Sequence, residues 1–345
     1  MSMNPIDATR DIRRSYLNYL ATTFRFKDPV LQEQFVNALE EPGRFVKEPI
    51  LEATPAFATG SSIAEMVREG VLSKRFLELD TECLPPERTL YIHQETAVRK
   101  LVQKGRNIVV ATGTGSGKTE AFLIPILNHL FQEDERGKLS PGVRALLLYP
   151  MNVLANDQLA RLRRLLANYP KITFGRYTGE TERSHRAALA KYREMYGRDP
   201  LPNELISREK MWEAPPHILL TNYAMLEYLL LRPDDSVFFD GASARNWRFI
   251  VIDEAHTYSG ARGIEIAMLL RRLKDRVVQG ERGRIQCVAT SATLGRGRDD
   301  YPAVARFASD LFGEGFSWVD GDPDNQDVVE ASKLPLAEAR PGWGT

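Results

Sequence analysis

An α/β fold, with a parallel sheet flanked by helices and preceded by a helical N-terminal extension, is what this 345-residue sequence predicts. Three observations predict it. From residue 91 onward, short apolar runs alternate with stretches of helical periodicity, the pattern of strands joined by crossover helices. The runs are nearly continuous in apolar residues, as strands covered on both faces are. A glycine-rich turn follows the first run and opens a helix, a junction that binds anions in sheets of this class.

Residues 1–88 read as short amphipathic helices. Ile12, Tyr16, Tyr19, Leu20 and Phe24 recur at helical spacing, and Ser62 with Glu65 has capping-box spacing ahead of Met66 and Val67. This stretch reads as a packing appendage. The main domain is expected over residues 89–318, with strands at Ile108–Ala111, Ala145–Tyr149, Ile172–Tyr177, Ile218–Thr221, Phe249–Asp253 and Ile285–Ala289. Helices are expected between them, among others at Thr119–Phe131, Val153–Asn168 and Gly263–Lys274. Residues 181–213 carry mixed charge and read as a surface insertion. Residues 319–345 are acidic and rich in proline and glycine, and read as a linker-like tail.

Composition excludes several classes. With 43% hydrophobic and 27% charged residues the chain is neither disordered throughout nor collagenous. The longest apolar run, Ala145 to Tyr149, falls far short of the ~20 residues of a membrane span. Asp and Arg stand where a signal peptide needs an apolar core, so a cytoplasmic location is expected. Cys83 and Cys287 cannot build a disulfide framework, and both are expected to be packing residues. Forty-six Lys and Arg against 46 Asp and Glu leave no global field to steer a polyanion, so any nucleic-acid contact must come from locally placed donors.

The stretch Thr114, Gly115, Ser116, Gly117, Lys118, Thr119 and Glu120 is the candidate nucleotide-binding segment. Gly113, Gly115 and Gly117 let the backbone wrap phosphate oxygens, whose charge the N–H groups and the helix N-terminus hold. Lys118 places an ammonium on the terminal phosphates of ATP, and the Thr119 hydroxyl ligates Mg²⁺. A strict P-loop has glycine where this chain has Thr112. Residues 249–256, FIVIDEAH, deliver two carboxylates at a strand end. Asp253 is expected to meet the magnesium ion and Glu254 to polarise the attacking water. Lys118, Asp253 and Glu254 are thus the candidate catalytic residues.

These motifs resemble those of the first RecA-like domain of superfamily 2 DEAD/DEAH-box helicases. TGSGKT at 114–119 resembles motif I, DEAH at 253–256 motif II and SAT at 291–293 motif III. The stretches LLYPMNVLANDQ and LLTNYAMLEYLLLRP further resemble large bacterial helicases related to the mitomycin-repair helicase and to helicases of phage-defence islands. The resemblance implies that Gln94 reads adenine and that His256 couples nucleotide state to Ser291 and Thr293. A solvated helix-start role for Gln94 stays open, as does a structural one for His256. The resemblance also implies strand contacts from Pro150, Asn152 and Gln158, from Thr178 and Gly179, and from Thr221 and Asn222, each otherwise a turn or cap residue. Arg161, Arg163 and Arg164 form a basic cluster, expected on a solvated helix face.

What the resemblance implies is an ATP-dependent motor domain acting on single-stranded nucleic acid, DNA favoured over RNA. A second RecA-like domain, supplied in trans or lost by truncation, would complete it. By itself the chain is expected to hydrolyse ATP slowly and not to unwind. Alternatives are a nucleotide-dependent binding module that recruits a strand or partner, an RNA helicase fragment and, more weakly, a small-molecule kinase.

Overall fold

The computed structural model describes residues 4–41, 43–45, 55–79, 82–113, 115–294 and 297–334. Residues Met1–Pro55 and Ala56–Thr345 form separate compact units. In the first, α1 (Pro5–Thr23) and α2 (Pro29–Glu40) are both capped by a side chain. Asn4 Oδ1 accepts from the Ile6 N–H at 3.0 Å and Asp28 Oδ1 from the Val30 N–H at 2.8 Å. The apolar spacing that predicts α1 leaves Ile12, Tyr16, Tyr19 and Phe24 exposed.

The second unit begins inside the expected appendage. β1 (Thr59–Ser62) leads into α3 (Ile63–Arg68), where Ser62 and Glu65 form the capping box. Ile63, Met66, Val71, Leu72 and Phe76 are buried in the main core, so residues 56–88 belong to the α/β unit. Their apolar side chains pair with sequence-distant partners, which local periodicity does not reveal.

β2 (Thr89–Tyr91) pairs antiparallel with β1 and runs into α4 (Ile92–Val102). Alternation of strand and helix follows. β3 (Ile108–Ala111) precedes α5 (Lys118–Glu135), and β4 (Ala145–Leu148) precedes α6 (Asn152–Leu166). β5 (Phe174–Arg176), α7 (His185–Tyr196), β6 (Glu204–Leu205) and α8 (Arg208–Glu213) come next. β7 (Ile218–Thr221) precedes α9 (Tyr223–Leu231), and β8 (Phe249–Ile252) leads to α10 (Gly260–Val278). β9 (Gln286–Ser291), α11 (Tyr301–Phe312) and β10 (Val328–Glu330) complete the order.

Eight strands form one parallel sheet in the order β10-β3-β9-β8-β4-β7-β5-β6. Successive residues alternate between its two cores: Ile108 and Val110 pack with α4, α5 and α6, while Val109 packs with α10 and α11. β3 and β8 both border β9, so the turns that follow them open on one rim, where ligands bind in sheets of this type.

Three expectations are corrected. The tail is not all linker: β10 pairs with β3, and Val328 and Val329 are buried, whereas residues 335–345 lie outside the described residues. The acidic residues around this short strand mask it locally. The insertion is not a surface excursion only, because β6 extends the sheet and Asn203, Glu204, Ser207 and Met211 are buried. β9 runs two residues past Ala289, since Thr290 and Ser291 pair with Val110 and Ala111 although the apolar run has ended. Cys287 is buried on that strand, which pushes its thiol pKa up, and Cys83 is half-buried.

Candidate nucleotide and strand site

The phosphate-loop geometry is built by glycine and held from behind by α4. Gly115 and Gly117 have φ of 74° and 73°, in the left-handed region. A Cβ on Gly117 would lie 2.2 Å from Gln94 Nε2, so any other residue would strain the backbone and push the Gln94 amide from its place. His93 Nε2 lies 2.8 Å from the Ser116 carbonyl, and Gln94 Nε2 donates to the Gly117 carbonyl at 2.9 Å. Gln94 Oε1 accepts from the Tyr91 N–H at 2.9 Å. Burial pushes the His93 imidazole pKa down, favouring the neutral ring. The buried Gln94 amide is therefore engaged at both ends, Nε2 on the loop and Oε1 on the N-cap of its own helix. His93, unmarked in sequence, is its second clamp.

Within the loop Ser116 is fully buried, its Oγ 2.6 Å from Thr112 Oγ1 and bonded to the Gly113 carbonyl at 2.8 Å. Thr114 lies outside the described residues. Lys118 and Thr119 open α5, where first-turn N–H groups lack helical partners. The ring of Tyr91 packs against those of Phe57 and His93 at centroid distances of 5.2 and 5.5 Å.

Across the rim, β8 delivers Asp253 and Glu254. Glu254 has φ 50° and ψ 49°, a left-handed conformation that costs a residue with a Cβ about 1–2 kcal/mol. Lys118 Nζ lies 3.2 Å from Glu254 Oε1. Thr290 Oγ1, on the strand between, donates to Asp253 Oδ1 and lies 3.4 Å from the Glu254 N–H that donates to it. Burial, opposed by the Thr290 hydrogen bond, raises the Asp253 carboxyl pKa, and the Glu254 charge raises it further. Tyr149, at the end of β4, has a buried hydroxyl with no hydrogen-bond partner among the described residues.

A pocket of about 380 Å³ joins the two halves, lined by Arg88, Tyr91, Gly115 to Glu120, Arg161, Asp253 and Glu254. Glu120 is buried there, and its Oε1 accepts from Arg161, with Arg88 at 3.6 Å, so that oxygen is occupied by protein cations. The expected arginine cluster is dispersed: Arg161 reaches the pocket, while Arg163 is buried against Glu204 and the rings of Tyr192 and Tyr196. The donor set suits magnesium. A hydroxyl at Thr119 and a desolvated carboxyl at Asp253 offer hard oxygens, and a cation there offsets the burial that raises Asp253. Among the described residues no cluster of three or more His, Cys, Asp or Glu is arranged to hold a metal alone, so substrate and water oxygens would complete such a shell.

His256 Nδ1 lies 3.0 Å from Ser291 Oγ and 3.3 Å from Glu254 Oε2. Ser291 Oγ accepts from the N–H groups of Thr293 and Leu294, both at 3.2 Å. Thr293 thus enters through its backbone, and its side chain is exposed.

The expected strand contacts divide. Asn152 and Asn222 meet on the rim, with Asn222 Nδ2 donating to Asn152 Oδ1 at 2.9 Å. Pro150 is half-buried and Gly179 exposed in the adjoining loops. Gln158 does not reach this rim: its Nε2 donates to Thr119 Oγ1 at 3.2 Å. Six residues along α6, at about 1.5 Å each, carry it toward the nucleotide pocket. Thr178 and Thr221 are fully buried, and Thr221 Oγ1 donates to the Tyr177 carbonyl at 2.6 Å, so both side chains are turned into the protein. Sequence reading missed Thr290, whose position on β9 rather than in a loop is set by pairing, and Glu180, which accepts from Asn152 Nδ2 at 3.1 Å.

A family model described as DEAD/DEAH box helicase matches residues 91–301. The Druantia protein DruE of Escherichia coli (strain UMEA 4076-1) is 29% identical over 96% of this chain and 23% of its own length. The uncharacterized ATP-dependent helicase YprA of Bacillus subtilis (strain 168) is 32% identical over 59% of this chain and 23% of its own. The crystal structure of the DUF1998 helicase MrfA bound to DNA and AMPPNP is similar with a TM-score of 0.56 and 27% identity, covering 79% of this chain and 31% of that one. The chain spans under a third of the length of each of these relatives.

Proposed function

The chain belongs to the DEAD/DEAH box helicase family, and from that premise we propose that it is the ATP- and nucleic-acid-binding motor domain of an ATP-dependent DNA helicase or translocase, working with a second RecA-like domain. The observation that carries this reading is the approach of Lys118 Nζ to Glu254 Oε1, 3.2 Å, inside one pocket. A pocket that only held nucleotide would gain nothing from a strained Glu254 at that point.

The residues divide the work. Backbone N–H groups of the loop and the N-terminus of α5 hold phosphate charge, and Lys118 neutralises the terminal phosphates. Glu254 orients the attacking water and takes its proton. Thr119 and Asp253 would hold Mg²⁺, which would supply positive charge to offset the charge developing on the phosphates. His256, on Ser291, carries the state of Glu254 to the loop after β9.

Asn152, Asn222 and the backbone around Gly179 supply neutral donors that suit a single strand in a chain of zero net charge. The DNA in the complex of the similar MrfA supports DNA over RNA. The test is ATP turnover by the 345-residue chain with single-stranded DNA, single-stranded RNA or neither. Slow turnover, raised more by DNA than by RNA, and no strand separation without the second domain are expected. Robust unwinding by the chain alone contradicts the reading, and tight nucleotide binding with no turnover under any condition supports a binding module instead.

A further inference from the structure

Three loops at the C-terminal ends of β4, β5 and β7 meet in one polar chain. Asn222 Nδ2 donates to Asn152 Oδ1 at 2.9 Å, and Asn152 Nδ2 donates to Glu180 Oε1 at 3.1 Å. Arg176 Nη1 donates to the other oxygen, Glu180 Oε2, at 2.9 Å, and to Asn156 Oδ1 at 2.7 Å. Both oxygens of one carboxylate are thus gripped by an amide and a guanidinium. These donors and this convergence also suit a backbone phosphate.

We propose that Glu180 occupies the position of a strand phosphate within the protein itself, and that single-stranded nucleic acid binds this rim by displacing it. The proposal rests on the strand-binding reading of the rim and adds its regulation. Exposure supports the exchange: the Glu180 side chain is 55% exposed and that of Arg176 only 19%, so the carboxylate can swing into water while the cation stays. The neighbouring Gly179 has no atom within 4 Å of where a Cβ would lie, leaving room for a ligand to approach the backbone. Hydrogen bonds from Asn152 and then Arg176 hold the Glu180 carboxyl below its usual pKa, so the occupant is charged at neutral pH.

Exchange of one anion for another leaves Arg176 neutralised before and after binding. The rim therefore binds a strand more weakly than its donors alone would, and the arginine contributes little to counterion release. Removing the carboxylate charge reverses both effects.

The test is fluorescence anisotropy of the 345-residue chain with a labelled oligothymidylate across a salt series, without nucleotide. Glu180→Gln is expected to bind about fivefold tighter at low salt, from one unmasked partly exposed charge. Its logarithmic salt slope is expected to steepen by about 0.7, one additional phosphate neutralised. Glu180→Asp, which keeps the charge, is expected to stay near wild type, and Arg176→Ala is expected to weaken binding and erase the gain in the double variant. If Glu180→Gln binds no tighter while Asn152→Ala with Asn222→Ala weakens binding, the displacement proposal fails and the strand rim stands. If neither the asparagine pair nor Arg176→Ala alters binding, the rim reading itself fails and the proposal with it.

Discussion

Lys118 Nζ and Glu254 Oε1 lie 3.2 Å apart although 136 residues separate them in the chain. The contact joins the turn after β3 to the turn after β8 across β9, and it pairs the two side chains to which the proposed function assigns phosphate and water. In that proposal a terminal phosphate competes with Glu254 for the lysine and releases the carboxylate for its own task.

Separate losses follow for the two partners. Lys118→Ala is expected to weaken nucleotide binding and stop turnover. Glu254→Gln is expected to keep binding and lower turnover by at least about 10²-fold, the contribution of a positioned base. Fluorescent-nucleotide titration alongside phosphate release distinguishes them, and a Glu254→Gln chain that still hydrolyses at the wild-type rate removes the proposed base.

Gln158 Nε2 donates to Thr119 Oγ1, beside the phosphate loop. Gln158→Ala is expected to raise the magnesium concentration needed for nucleotide binding about tenfold, as loss of a residue orienting a metal ligand does. Affinity for single-stranded DNA without nucleotide is expected to change little. Weakened strand binding with an unaltered magnesium requirement would instead return Gln158 to the rim.

His217 makes stability depend on pH. Its Nδ1 accepts from the Thr173 N–H at 2.9 Å, and Nε2 faces the Ser140 carbonyl at 3.1 Å, which fixes the neutral ring. Burial, with the charge of Arg144, lowers its pKa from 6.5 to about 4. Below pH 6.5 the unfolded chain binds a proton that the folded chain refuses, so this contribution is full above 6.5 and is lost as pH falls toward 4. The loss amounts to about 3 kcal/mol at about 1.4 kcal/mol per unit. Urea unfolding at about pH 7.5 and about pH 4.5 measures it, and His217→Gln is expected to flatten the dependence by that amount.

Glu204 neutralises Arg163 inside the edge of the sheet. Arg163 Nε and Nη2 donate to its carboxylate at 2.7–2.9 Å, and Tyr192 donates at 3.1 Å. Glu204→Gln leaves a buried guanidinium uncompensated and is expected to cost about 3 kcal/mol of unfolding free energy. An unchanged denaturant midpoint would return the insertion to the status of a detachable excursion.

Legibility in the sequence followed the range of the interactions. The placement of Gly117, Lys118 and Glu254 in turns that follow strands was readable because that geometry is local. The contacts of Gln158, Thr178 and Thr221 were not readable, because a loop motif does not reveal which side chains turn inward. The tail hid β10 because Val328 and Val329 gain their partners only from β3, far back in the chain. Thr290 and Glu180 carried no signal, since each matters through what another strand brings beside it.

By itself the amino-acid order determined the alternation of strand and helix, the phosphate-wrapping turn and the acidic strand end, all products of interactions between near neighbours. Only the tertiary structure decided what each side chain touches: Gln94 the phosphate loop, Gln158 the Thr119 hydroxyl, Glu180 the rim's donors. The reason is that a hydrogen bond is settled within a few tenths of an ångström, and packing between distant segments, rather than local propensity, sets distances that fine.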